Sequence, residues 1–260
     1  MRIASNLGFA AVYSVLLSIV VATSISSQAA EYRIGHCLYG CPGGASEQNH
    51  LLLRPIYALS YNIQNKAADW AAYKVTAGSI GIASSLSRQT IVDDFVSDTL
   101  DESDFLNSAE QGLNQSQLVP LVNFAGTPYW RDINFLTNTV ARSNSLSQGP
   151  WYGLEWSIRN FVNRQNDVFV IAGPIYKEVQ TASQLQTSKE HRVPDGFFKI
   201  IVTEFGGGSA FLFDQEEPVH MHHCNLRTSI EEIESLTGLD FFPEIPRLNL
   251  ESLDVELGCF

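Results

Sequence analysis

A chain of 260 residues, 45% of them hydrophobic, holds enough apolar material for one large domain with a substantial core, which argues against a disordered or low-complexity polypeptide. Its formal charge of −12 repels a phosphate backbone at long range and argues against tight non-specific capture of DNA or RNA, although it leaves room for a local basic cleft.

The beginning of the chain stands apart. Arg2 starts a short positive end, Leu7 to Ala22 is mostly apolar, and Ser27-Gln28-Ala29-Ala30 offers small residues for cleavage. Residues 1–30 therefore read as a secretory signal peptide and residues 31–260 as one domain. No later stretch is long and apolar enough to cross a bilayer, so no membrane association is expected after cleavage, and the chain is expected to be secreted or periplasmic. An oxidising compartment gives the four cysteines a meaning. Cys37 and Cys41 are close in sequence and Cys224 and Cys259 both lie late, so the simplest pairing is local with local and late with late. Neither pair has the Cys-x-x-Cys spacing of zinc or redox motifs, and all four read as staples.

The turn-rich Gly40-Cys41-Pro42-Gly43-Gly44 opens the domain. Leu51 to Arg54, Ile56 to Asn62 and Trp70 to Val75 follow as β-type runs. Arg88 precedes Asp93, and from Asp93 to Asp104 the chain carries six acids and no base, which predicts a solvated acidic loop. Leu113-Asn114-Gln115-Ser116-Gln117-Leu118-Val119-Pro120-Leu121 comes next, then Tyr129 to Asn138. Asn138 reads either as a turn former or as a side chain that orients a site by hydrogen bonding. Ser147-Gln148-Gly149-Pro150-Trp151-Tyr152-Gly153-Leu154-Glu155 predicts a helix with Pro150 in its first turn, where the missing N–H costs nothing. Glu155 and Arg159 then share a helix face, which by spacing alone predicts a solvated ion pair.

Beyond that helix, Val168 to Ala172 is a continuous apolar run ended by Gly173-Pro174, the pattern of a buried strand. Val193-Pro194, Phe197 to Val202 and Ala210 to Gln215 supply further strand material, and a helix with a capping box runs from Thr228-Ser229 to Gly238. His220, His222 and His223 fall within four residues and offer imidazoles to zinc, copper or nickel, but a solvated loop is the simpler reading. His36, His50 and His191 are isolated in sequence and read as structural.

These segments resemble the DNA/RNA non-specific endonuclease family, the ββα-metal nucleases of the secreted Serratia type, over nearly all of residues 36–246. The resemblance implies an α+β fold with a central antiparallel sheet flanked by helices, and the same two disulfides. It implies that Arg88 faces substrate phosphate and that Asn138 matches the last asparagine of an Asn-Tyr-Leu-Ser-Asn segment. The active-site frame is kept while its chemistry changes. Where the family has Asp-Arg-Gly-His, with the histidine as general base, this chain has Asn114, Gln115, Ser116 and Gln117. Where the family has a metal-binding asparagine it has Ser147, and only Glu155 and Arg159 stand as in the family.

An amide at position 117 does not titrate near neutral pH, and losing a general base costs about 10²- to 10⁴-fold in rate. Magnesium is held by few protein oxygens, so a hydroxyl in place of a longer amide carbonyl weakens it, and Gln115 removes a charge near the phosphate. The resulting expectation is a secreted, catalytically inactive homologue whose cleft binds nucleic acid or an unidentified protein. Two alternatives stay open: a magnesium-dependent endonuclease that recruits another base, such as Glu155 or a histidine brought near by folding, and a purely structural extracellular protein.

Overall fold

The computed structural model describes residues 33–260 apart from 97, 165–166, 178–182 and 246–248, so the expected signal peptide lies outside the described residues. In chain order the elements are β1 (His50–Leu53), β2 (Ala58–Asn62), β3 (Ala67–Val75), β4 (Leu113–Gln117), β5 (Thr139–Ser143), α1 (Asn144–Gln148), α2 (Pro150–Arg164), β6 (Val168–Ile175), β7 (Gly196–Val202), β8 (Gly207–Asp214), β9 (Arg227–Thr228), α3 (Ile230–Thr237) and β10 (Glu251–Ser252). The main sheet runs β1-β2-β3-β6-β7-β8-β10, with β9 also paired to β8, and every pairing is antiparallel except that of β10 with β8. A separate antiparallel pair, β4 with β5, carries Asn114 to Gln117.

Strand periodicity decides what each face of the sheet holds. Along β7, Phe197 and Ile201 join the core that contains Leu154, Ile158 and Phe161 of α2, whereas Phe198, Ile200 and Val202 join the core that contains Ile233 of α3. Covered on both faces, β6 and β7 are buried along their whole length, which is why they read as continuous apolar runs rather than alternating ones. The same alternation sends Lys199 to the α2 side.

Local signals set the helix ends. Pro150 begins α2, and a Cβ on the preceding Gly149 would come within 2.5 Å of the Val219 carbonyl, so the join between α1 and α2 needs glycine. Ser229 caps α3 by accepting from the Glu232 amide, and Gly238 closes it in the left-handed region at φ 72°. The capping box is only half formed, because the Glu232 carboxylate accepts from Thr228 Oγ1. Disulfides join Cys37 to Cys41 and Cys224 to Cys259, as expected. Among the described residues no helix is long and apolar enough to cross a membrane.

The acidic stretch differs from its expectation. Asp93 and Asp104 are both buried: Asp93 accepts from Arg54 at 2.7 Å and from Thr137 at 2.7 Å, and Asp104 pairs with Lys189 at 3.0 Å. Their partners lie far away in sequence, so a charge count along the chain could not find them.

Candidate active site

A cleft of about 470 Å³ lies against α2, and the structure brings Arg88, Gln117, Ser147, Glu155 and Arg159 together in its lining. One wall is built on the β4–β5 hairpin and α1, from Gln115, Ser116, Gln117, Thr139, Arg142 and Ser147; the other is built on α2, from Trp151, Tyr152, Glu155 and Arg159.

On the hairpin wall, Gln117 Nε2 donates to the Ile133 carbonyl at 3.1 Å and to Asn134 Oδ1 at 3.2 Å. Its amide protons are committed to the scaffold, and the side chain has no proton-accepting nitrogen to offer a water. Arg142 bridges Gln117 and Ser147. Its Nε donates to Ser147 Oγ at 3.1 Å, its Nη1 donates to the Gln117 carbonyl at 3.3 Å, and its guanidinium lies 4.2 Å from the Trp151 ring centroid. Ser147 Oγ also shares a 3.4 Å hydrogen bond with Ser116 Oγ.

The helix wall is a closed ion network. Glu155 is 3% exposed, so its pair with Arg159 is buried rather than solvated, contrary to the expectation from spacing. Glu155 Oε1 is ion-paired with Lys199, and Oε2 accepts from Asn123 Nδ2 at 3.1 Å and stands 3.6 Å from Arg159 Nη1. Lys199 is fully buried, with Nζ 3.8 Å from the Trp151 ring centroid. Burial lowers its ammonium to about 8 even though Glu155 pulls the other way, and burial likewise lowers Arg142 to about 9 against Glu155. Tyr73, fully buried and next to the Glu155 charge, is held well above its usual range, mainly by desolvation.

Asn138 lies behind the cleft. Its amide accepts from Val119 N at 2.9 Å and donates to Val119 O at 3.0 Å and Ile133 O at 2.9 Å, which fixes the chain leaving β4. The histidine cluster is elsewhere: His222 and His223 line a different depression beside Gly149 and Trp156. His222 Nδ1 accepts from the Cys224 amide at 3.3 Å and His223 Nε2 bonds to the Leu257 carbonyl at 3.1 Å, while the neighbouring Cys224 sulfur is tied up in a disulfide. His220 is exposed. No histidine is among the residues lining the cleft described here.

Sequence reasoning missed Arg142 and Asn123 and treated Lys199 only as strand material. The signal was present: a base sits inside Thr139-Val140-Ala141-Arg142 and another inside Phe197-Phe198-Lys199-Ile200-Ile201, and a charged side chain in a buried strand requires a partner.

An antiparallel sheet, a hairpin and a helix with a buried glutamate and arginine one turn apart define the ββα nuclease class. The same architecture is found in the solved complex of EndoG with EndoGI, with a TM-score of 0.68, 20% identity, and coverage of 86% of this chain and 97% of that one. A family profile for DNA/RNA non-specific endonucleases matches residues 36–248. Among relatives, the nuclease of Serratia marcescens is 31% identical over 240 residues, 89% of this chain and 88% of that protein, and mitochondrial endonuclease G of Bos taurus is 27% identical over 225 residues, 80% and 72%. The chain belongs to the DNA/RNA non-specific endonuclease family.

The family's nucleases depend on a divalent metal, and the residues present here do not fit one. Ser147 Oγ, at the ligand position implied by the family motif, already accepts from the Arg142 guanidinium. A dication bound to that oxygen at about 2.1 Å would lie within about 5 Å of a fixed positive charge, a repulsion of roughly 7 kcal/mol at an effective dielectric of about 20. Glu155 adds little compensation, because its single negative charge already faces the two cations Lys199 and Arg159.

Proposed function

We propose that this chain is a secreted member of the family that has lost phosphodiester hydrolysis and keeps the cleft for binding nucleic acid. The observation that carries the reading is the pairing at positions 117 and 147: an amide bonded into the scaffold where a base is needed, and a hydroxyl bonded to a guanidinium where a cation is needed. Neither position has a substitute nearby, since no imidazole lines the described cleft and Glu155 is enclosed by cations. Catalytic groups of this kind act as a unit, so the remaining members do not sustain the rate alone. Binding is the function the lining still supports, because Arg88, Arg142 and Arg159 face Glu155 as its one acid. This local excess of positive charge answers the objection raised by the overall charge of −12. In this reading Arg88 and Arg159 hold the backbone, Asn138 positions the strand exit, and the mature protein begins after residue 30 with its two disulfides formed outside the reducing cytosol.

Plasmid nicking in magnesium or manganese tests the proposal. The purified protein is expected to nick no faster than a mock preparation from cells lacking the gene, and metal-dependent nicking that co-elutes with the protein would overturn it.

A further inference from the structure

Arg142 does more than spoil a metal site. Its Nε and Nη1 are held by Ser147 and the Gln117 carbonyl, its plane is set against Trp151, and its Nη2 has no acceptor among the described residues although the side chain lines the cleft. In the same lining, Gln115 Nε2 is buried with no hydrogen-bond partner. A buried donor left unpaired costs free energy until an acceptor arrives, and a fixed guanidinium edge is the side-chain geometry best suited to phosphate oxygens.

We infer that Arg142 stands in for the divalent cation, so that the cleft grips a phosphate group through Arg142 and Gln115 without any metal. The inference rests on the proposal that the cleft binds nucleic acid and names how it does so. A magnesium ion neutralises phosphate charge and orients it; a guanidinium clamped at three points supplies the same charge and a fixed direction, but it cannot carry a water to the phosphorus. Phosphate bound in this way is held and not cut. Ser147 then acts as a positioning residue that fixes Nε, and the altered motif is a coherent set: the hydroxyl that is too short for a metal is the acceptor the arginine requires.

The experiment uses the mature protein and a fluorescein-labelled oligothymidylate, with anisotropy read in EDTA and in magnesium. The Kd is expected to agree within about twofold between the two buffers, and Arg142→Gln is expected to raise it on the order of tenfold in EDTA, since a hydrogen bond between charged partners is worth that much. Manganese added to the wild type should keep the electron paramagnetic resonance signal of the free aquo ion. Binding that appears only with magnesium, or stoichiometric loss of the free manganese signal, overturns the inference while leaving nucleic-acid binding standing. If the oligonucleotide fails to bind but inorganic phosphate binds in EDTA and is lost in Arg142→Gln, the inference holds and the nucleic-acid proposal falls. If neither probe binds, both fail. Should Arg142→Gln not fold, as judged by circular dichroism, Arg142→Lys keeps the charge and loses the fork; it is expected to bind severalfold more weakly than wild type, and binding equal to wild type overturns the inference.

Discussion

The two walls of the cleft commit their polar groups in different ways. The α2 wall binds Glu155 and Arg159 into a buried network with Lys199 and Asn123, whereas the hairpin wall carries amides, hydroxyls and Arg142. A buried glutamate of this kind is held in place by the charges around it, whatever chemistry the cleft performs. Glu155 neutralises buried cations, so the fold itself requires it; on the hairpin wall Gln115 has an unpaired donor, and Ser147 bonds only to the side chains of Arg142 and Ser116.

The largest effect should separate the walls by stability. Glu155→Ala leaves Lys199 and Arg159 without their counter-charge and is expected to cost about 3–5 kcal/mol in urea unfolding. Gln115→Ala should stay within about 0.5 kcal/mol. Equal effects at the two positions would break the comparison.

A second expectation concerns pH and again belongs to the helix wall. A lysine whose folded pKa is depressed from 10.5 to about 8 is disfavoured as a cation in the native state. That cost is present in full below about pH 8 and is relieved as pH rises toward 10.5, so this group makes stability increase with pH across the window. Relative to wild type, the double substitution Glu155→Gln with Lys199→Met should flatten the rise, and identical pH profiles would show that Lys199 does not titrate as described. The smallest effect is expected at the cleft edge: Arg88 is exposed, and Arg88→Ala should raise the oligonucleotide Kd only about two- to threefold and reduce the salt slope by about 1.

Much of the fold could be read from residues alone, because the signals are local. The apolar runs at Val168 to Ala172 and Phe197 to Val202, Pro150 at a helix start, Gly238 at a helix end and the cysteine spacing all found their elements. Part of the site was also legible, since Gln117, Ser147, Glu155 and Arg159 were singled out along the chain and all line one cleft. What could not be read was long-range pairing. The Glu155–Arg159 spacing suggested a surface pair because nothing nearby announces Lys199, which arrives from a strand on the far side of the chain. The acids at Asp93 and Asp104 looked solvated for the same reason: Arg54 and Lys189 reach them only after folding. Arg142 was hidden by its place in a short apolar run, where its contact with Ser147 depends on the turn between β5 and α1.

If the proposed loss of hydrolysis resides in the hairpin wall alone, grafting the missing groups back should restore it. Nicking of plasmid in magnesium should be absent in wild type, remain absent in Gln117→His with Ser147→Asn because Arg142 still blocks the cation, and emerge when Arg142→Gln is added with α2 untouched. A folded triple variant that stays inert, or a wild type that nicks, would contradict it.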